Sequence, residues 1–122
     1  MSILSFNTME HQCFYESMLN KVACYDVYHQ AFFYCMGVCE VTRKHIDELF
    51  DFDEGSIRIE NIDKPFQTGT SYKVTRIAYN LWNGFIEEEK SDYYTPSELF
   101  CCEFAQEFQQ AVRLRYPNYF NY

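Results

Sequence analysis

The sequence predicts an all-α fold, a single compact bundle of about six helices with one irregular loop at residues 51–70. Apolar residues recur at helical spacing in several segments, and helix-capping residues stand beside those segments. Only 4 Gly and 3 Pro interrupt 122 residues, of which 48% are apolar. A chain of this length can build one hydrophobic core, so we expect a single domain over residues 1–122.

The first two helices are predicted from their caps. Thr8 is placed to cap a helix over Met9–Lys21, and Asp26 to cap a helix over Val27–Met36. The second segment has apolar residues on most sides, which is typical of a helix in the middle of a core. Gly37 is a natural stop for it.

The third helix is predicted over Glu40–Phe50, with charged pairs four residues apart on its outer face. Residues 51–70 have no helical period and contain two glycines and a proline. Ser56–Glu60 alternates like a short strand. No partner strand is evident in the sequence, so we expect an extended loop there.

The fourth helix has the clearest pattern. Thr70 or Ser71 is the expected cap, and Asn83–Gly84 the expected end. Its core stripe follows the i, i+3, i+4, i+7, i+8 spacing of one helical face. The members of that stripe are Val74, Ile77, Ala78, Leu81 and Trp82.

The last two helices follow a charged segment. Thr95–Glu98 combines a Thr cap, a Pro at the first helical position and a Glu three residues after the cap. The fifth helix is therefore predicted to run through Cys102. The sixth is predicted over Ala105–Arg115 and is stopped by Tyr116–Pro117.

Charge and hydropathy exclude several classes of protein. The chain has 18 acidic and 10 basic residues, a net charge of −8, whereas an independent nucleic-acid binder usually has the opposite balance. No apolar run reaches the 18 or so residues of a membrane span. The N-terminal residues lack a basic region and carry acids, so we expect no signal peptide and a cytosolic protein. Its six cysteines are then expected to be thiols.

Motifs for catalysis or metal binding are weak. Cys35 and Cys39, with His29 and His45 nearby in sequence, form the best candidate zinc set, and His11 and Cys13 form a second pair. The C-x₂-C spacing is absent, however, and Cys35 and Cys39 stand on either side of Gly37. Cysteine is commonly buried as a small apolar residue, so we expect core thiols, no metal and no cofactor. No nucleophile elbow or phosphate loop is present, and no catalytic residue is predicted.

Several runs carry a family resemblance. In order they are TRKHI at 42–46, QTGTS at 67–71, NLWNG at 80–84, YYTPSELFCC at 93–102 and LRYP at 114–117. Together they resemble an uncharacterised family of small bacterial proteins, a domain of unknown function often found near mobile elements. The resemblance covers roughly Phe6 to Tyr119. It implies a bacterial or phage origin and one domain, and it supplies no activity, ligand or catalytic residue.

Two acidic segments suggest a binding role. Asp47–Asp63 and Glu87–Glu107 each contain seven acidic residues and one basic residue. Acidic and aromatic side chains together suit docking on a basic protein, because charge steers the encounter and tyrosine supplies contact area. The predicted partner-binding residues are Asp47, Glu48, Asp51, Asp53, Glu54, Glu87, Glu88, Glu89, Tyr93 and Tyr94.

The sequence therefore predicts a non-enzymatic, acidic interaction module that binds a basic protein and neither nucleic acid nor membrane. The specific hypothesis is an inhibitor that occupies the basic groove of a nucleic-acid-handling enzyme, as anti-CRISPR proteins do. The alternative is a small enzyme or ligand-binding protein with a pocket between the third and fourth predicted helices. Its lining would be Arg43, His45, Arg76 and Asn80. A homodimer built on the aromatic tail is a third hypothesis, and the sequence leaves the oligomeric state open.

Overall fold

The computed structural model describes residues 4–120, so residues 1–3 and 121–122 of the predicted domain lie outside the described part. The described chain is mostly helical, with one small sheet. Within residues 4–120, three single-turn 3₁₀ helices lie at Ile59–Asn61, Ser91–Tyr94 and Pro117–Tyr119. The main elements are α1 (Met9–Val22), α2 (Val27–Met36), α3 (Glu40–Lys44), α4 (Ile46–Leu49), β1 (Phe50–Asp51), β2 (Ser56–Ile57), α5 (Gly69–Asn83), α6 (Pro96–Leu99) and α7 (Ala105–Arg115).

Helix α2 lies at the centre of the fold. All residues from Ala31 to Met36 are fully buried, and α1, α5 and α7 pack around them. This confirms the central position predicted from the apolar residues on most of its sides. The Phe32 ring contacts four other aromatic rings at this centre, and its centroid lies 5.2 Å from that of Phe50 and 5.5 Å from that of Trp82. The other two rings are those of Phe33 and Tyr79.

The predicted caps of α1 and α2 are confirmed. The Thr8 Oγ1 accepts a hydrogen bond from the His11 amide at 3.0 Å. The Asp26 Oδ1 accepts one from the His29 amide at 2.9 Å. Each bond satisfies an amide that the first helical turn leaves without a backbone partner.

Helix α5 begins earlier than predicted. Thr68 is its N-cap: the Ser71 amide donates to Thr68 Oγ1 at 3.0 Å, and the Thr68 amide donates to Ser71 Oγ at 2.8 Å. This reciprocal pair is a capping box made with serine, so Thr70 and Ser71 lie inside the helix. The predicted end is confirmed, because Gly84 adopts the left-handed conformation at φ 80°.

The region around residue 50 differs from the prediction. It corrects both the third helix and the all-α class. The helix breaks at His45, where φ −107° and ψ 21° interrupt the regular turn, and Phe50 leaves it for a strand. Strand β1 pairs antiparallel with β2, Phe50 opposite Ile57 and Asp51 opposite Ser56. The described fold is therefore mainly α with one two-stranded hairpin. Of the strand-like alternation at 56–60, only Ser56–Ile57 forms a strand and has a partner.

A buried tyrosine of α5 fixes this hairpin to the core. The Tyr79 hydroxyl lies 2.7 Å from the Leu49 carbonyl and 3.0 Å from the Arg58 carbonyl, one on each side of the hairpin. Tyr79 is fully buried. A hydrogen bond formed away from water holds backbone geometry firmly, because breaking it leaves a carbonyl without a partner.

The C-terminal helices follow the prediction in part. The fifth predicted helix is a single turn that ends at Leu99 and not at Cys102. Helix α7 has the predicted bounds, Ala105–Arg115. No helix in the described range 4–120 is both long and apolar enough to cross a membrane.

His11 is a fully buried titratable residue in α1. Its Nδ1 accepts the Asn7 amide at 3.2 Å, so its Nε2 carries the proton and donates to the Tyr34 carbonyl at 2.8 Å. Burial lowers the pKa of the His11 imidazole. The hydrogen bond to the Tyr34 carbonyl opposes this effect, and the Arg43 charge adds to it. The space beside this ring requires glycine at position 37, where a Cβ would lie 2.7 Å from His11 Cδ2.

We expect the free energy of unfolding to decrease as the pH falls below 6.5, the ordinary pKa of histidine. Below that value the unfolded His11 binds a proton that the folded ring resists, so acid favours the unfolded state. Urea unfolding across this range measures the effect. The control is His11→Gln, which keeps a donor and an acceptor but does not titrate. An equal pH dependence in both proteins would contradict the assignment.

Candidate functional site

The turn of the β1–β2 hairpin is organised by Asp51. Its Oδ1 accepts the Asp53 amide at 2.9 Å and the Glu54 amide at 3.0 Å, and its Oδ2 lies 3.5 Å from Arg58 Nη2. These backbone hydrogen bonds, first that of Glu54, and the Arg58 charge lower the pKa of Asp51. Gly55 completes the turn at φ 71°. Asp51 therefore shapes the turn, while the side chains of Asp53 and Glu54 point to solvent.

Exposed carboxylates surround this turn on neighbouring elements. Asp47 and Glu48 are exposed on α4, and Glu60 is exposed after β2. One nearby base is Lys21, whose Nζ lies 3.9 Å from Asp47 Oδ1 and 3.9 Å from the centre of the Phe52 ring. The acidic hairpin surface consists of the exposed side chains Asp47, Glu48, Asp53, Glu54, Ile59 and Glu60.

Glu87 is placed differently from the prediction, which put it on an exposed acidic face. It is buried, and its Oε1 accepts hydrogen bonds from Arg76 Nε at 2.5 Å and from the Tyr94 hydroxyl at 2.9 Å. Lys90 Nζ lies 3.6 Å from its other oxygen. Burial alone raises the pKa of Glu87, but the Arg76 and Tyr94 hydrogen bonds and the two positive charges outweigh it, so the pKa is lowered.

Aromatic rings enclose the partner of Glu87. The Arg76 guanidinium lies 3.9 Å from the centre of the Tyr72 ring and 4.7 Å from that of Tyr93. Such cation–π contacts gain strength where water is excluded. We call Tyr72, Arg76, Glu87, Tyr93 and Tyr94 the Arg76 cluster. It fastens the segment at 85–94 to α5, so Arg76 is a buried anchor of that segment and not the lining of a pocket.

The rest of the segment at 85–94 stays accessible. Glu88 and Glu89 are exposed, as predicted for a binding surface, and Ile86 and Tyr93 are each about half exposed. Burial raises the pKa of Tyr72, and the charges of Glu87 and Asp63 add to this effect while the Arg76 charge opposes it.

The residues predicted to line a pocket have separate partners. Arg43 Nη1 donates to the Gly37 carbonyl at 2.7 Å, and the His45 ring stacks on Phe66 with centroids 3.9 Å apart. Asn80 Nδ2 donates to the Phe85 carbonyl at 3.1 Å and so helps to hold the segment that Arg76 anchors. Four of the cavities among the described residues have volumes of about 400 to 660 Å³, and none of these four is lined by Arg43, His45, Arg76 or Asn80.

The cysteines correct the expectation that they are thiols of the core. All six are free thiols, but Cys35 alone is buried, where burial raises the pKa of its thiol. Cys13 and Cys101 are exposed, and the other three are half-buried. The candidate zinc set does not assemble: Cys39 Sγ lies 3.3 Å from Thr42 Oγ1, and His45 is stacked on Phe66.

A different group of potential ligands comes together between α1 and α2. Cys24 Sγ lies 3.4 Å from Asp26 Oδ2, and His29 Nδ1 lies 2.7 Å from Asp26 Oδ1. The sequence indicates this group only weakly, because it contains one cysteine and no pair of ligands at a known zinc-site spacing. One part of the group is indicated by the sequence. Asp26 is the predicted N-cap of α2, and an N-cap side chain faces the residue three positions later, which is His29.

Comparison with known proteins gives a family and no function. No curated protein and no solved structure matches the chain. A family model described as a family of unknown function, DUF6075, matches residues 1–122. The resemblance found in the five sequence runs is thereby confirmed at the level of an uncharacterised family. The chain belongs to this family of unknown function, DUF6075.

Proposed function

We propose that the chain is a non-enzymatic interaction module whose acidic hairpin surface binds a basic protein. The observation that carries this proposal is the exposure of Asp47, Glu48, Asp53 and Glu54 around one hairpin, with Lys21 as a nearby base. Exposed charges of one sign accelerate association with a partner of the opposite sign. The net charge of −8 has the same effect at longer range.

Apolar side chains beside the acids support a protein partner. Ile59 is about half exposed within the acidic hairpin surface, and Ile86 and Tyr93 are about half exposed beside Glu88 and Glu89. Protein interfaces usually place aromatic or aliphatic contacts at the centre and charges at the rim. Free cations attracted to the carboxylates would gain nothing from these apolar side chains.

Rigid support of the acidic side chains also favours a binding role. Tyr79 holds both sides of the hairpin, Asp51 holds its turn, and the Arg76 cluster holds the segment at 85–94. A surface already fixed in one conformation loses less entropy on binding. The specific form of the proposal is an inhibitor that fills the basic groove of a nucleic-acid-handling enzyme, of the anti-CRISPR kind, in a bacterial mobile-element setting.

Charge reversal at the acidic hairpin surface tests the proposal. In the variant Asp47→Lys, Asp53→Lys, Glu54→Lys we expect association with a basic partner recovered by cross-linking to slow by about ten-fold or more, because steering is lost. Stopped-flow association at increasing salt measures this rate, and the wild-type rate should fall as salt rises. Folding should stay near normal, since exposed charges contribute little to stability. Asp51 is left unchanged because it shapes the turn.

The matched control reverses three exposed acids elsewhere, Glu10→Lys, Glu16→Lys and Glu40→Lys, and changes the net charge equally. If both triple variants slow association equally, the position of the acids on the hairpin does not affect association, and the net charge alone explains the slower rate. Recovery of no basic partner, or binding of bare duplex DNA by the wild type, would count against the proposal.

A further inference from the structure

Three side chains with different ligand atoms meet where α1 turns into α2. The Cys24 thiol, the Asp26 carboxylate and the His29 imidazole each offer one ligand atom, and these atoms all lie within 4.8 Å of one another. Ligand atoms bound to one zinc ion are separated by about 3–4 Å, given metal–ligand bonds of about 2.0–2.3 Å. An ion fits among all three once side-chain rotation opens the 2.7 Å contact between His29 Nδ1 and Asp26 Oδ1 and brings the more distant atoms closer together.

We propose that Cys24, Asp26 and His29 bind a zinc ion. Zinc accepts sulfur, nitrogen and carboxylate oxygen together, whereas calcium and magnesium prefer oxygen ligands. Three protein ligands leave one tetrahedral position open for water. This proposal does not depend on the protein partner proposed above.

The backbone already holds two of the ligands in place. Asp26 caps α2 through the His29 amide, and the left-handed Ala23, at φ 54°, ends α1 just before Cys24. The His29 ring is held from the other side by Trp82, edge to face with centroids 4.8 Å apart. Packing of this kind against a ligand ring fixes its orientation and supports metal affinity.

Solvent can reach the imidazole. His29 lines a cavity of about 400 Å³ together with Asp53, Glu54 and Lys21. The two carboxylates make this approach favourable for a cation. Zinc would replace the hydrogen that Cys24 Sγ donates to Asp26 Oδ2, so binding releases the thiol proton to the buffer.

The arrangement does not suit a nucleophilic cysteine. In a Cys–His–acid triad the histidine stands between the thiol and the carboxylate, so that it can take the thiol proton. Here Asp26 stands between, bonded to Cys24 on one oxygen and to His29 on the other. Shared use of a central carboxylate is better suited to holding a cation than to activating the sulfur.

Cobalt serves as the spectroscopic probe for the zinc site. We expect titration of the reduced protein with Co²⁺ to give a thiolate-to-metal absorption band that saturates at one ion per chain and is abolished by Zn²⁺. Cys24→Ser and His29→Gln should each weaken binding at least ten-fold. Asp26→Asn provides a third variant that keeps a good helix cap. Cys13→Ser and Cys101→Ser remove exposed thiols elsewhere and should bind as the wild type does.

Circular dichroism establishes that each variant is folded, and Asp26→Asn replaces His29→Gln if the loss of the ring contact with Trp82 unfolds the chain. Three results would each overturn the proposal. They are a titration without saturation at one ion per chain, unchanged binding by Cys24→Ser, and equal losses in Cys24→Ser and Cys13→Ser. The last would show binding by exposed thiols in general.

Discussion

Arg76→Ala is expected to lower the free energy of unfolding by about 3–5 kcal/mol, because it leaves Glu87 as a buried charge without its main partner. Arg76 and Glu87 have side chains 11% and 9% exposed, so water replaces little of the lost interaction. The guanidinium also loses its contacts with Tyr72 and Tyr93. Urea unfolding at neutral pH measures the change.

The control for this variant is Lys90→Ala. Lys90 also lies near Glu87, at 3.6 Å, but its side chain is 47% exposed, so we expect a change below about 1 kcal/mol. The double variant Arg76→Met, Glu87→Leu should be more stable than Arg76→Ala, because no buried charge remains. A loss below about 1 kcal/mol in Arg76→Ala would show that the Arg76 cluster does not hold the segment at 85–94.

The same pair predicts a response to acid. The lowered pKa of Glu87 means that its stabilising contribution is complete above its ordinary pKa of 4.5 and is lost as the pH falls through the lower folded value. In Arg76→Met, Glu87→Leu this part of the acid sensitivity should be absent.

The helices that the sequence predicts well are those with a local signal. Thr8 and Asp26 cap their helices with their own side chains, and Gly84 ends α5 with a backbone conformation that glycine readily adopts. Such signals act within one turn of the chain. They stay the same whatever packs against the helix, which is why they can be found without tertiary information.

The hairpin at Phe50 depends on contacts distant in sequence. Phe50 fits an apolar helical stripe as well as it fits a strand, and the choice is made by α5, whose Tyr79 binds the backbone on both sides of the hairpin. A two-residue strand also shows too little alternation to indicate a partner. Tertiary packing overrides local preference at such a position.

The candidate sites also depend in part on contacts between residues distant in sequence. The exposed acids of the hairpin could be found from composition, since exposure is the usual state of a carboxylate. Arg76 and Glu87, eleven positions apart across the end of α5, pair only because the chain folds back there. Their spacing matches no helical or strand period, so Glu87 could not be separated from its exposed neighbours Glu88 and Glu89.

Phe32→Ala is the second large effect, with an expected loss of about 3–5 kcal/mol in the free energy of unfolding. Its ring is fully buried in α2 and contacts those of Phe50, Tyr79 and Trp82. Truncation leaves a cavity among side chains that rigid elements hold apart, so the core cannot close fully around it.

Trp82→Ala tests the edge of the group of aromatic rings around Phe32. Trp82 was predicted to close the core stripe of α5, and it packs on Phe32, Phe50 and His29 while remaining partly exposed. We expect a loss of about 3 kcal/mol, at the low end of the range for removing a large aromatic side chain, because solvent fills part of the space. Thermal and urea unfolding of Phe32→Ala and Trp82→Ala measure both losses in the free energy of unfolding. A folded Trp82→Ala that loses less than about 1 kcal/mol would place the indole on a binding surface, where its area serves a partner and not the core.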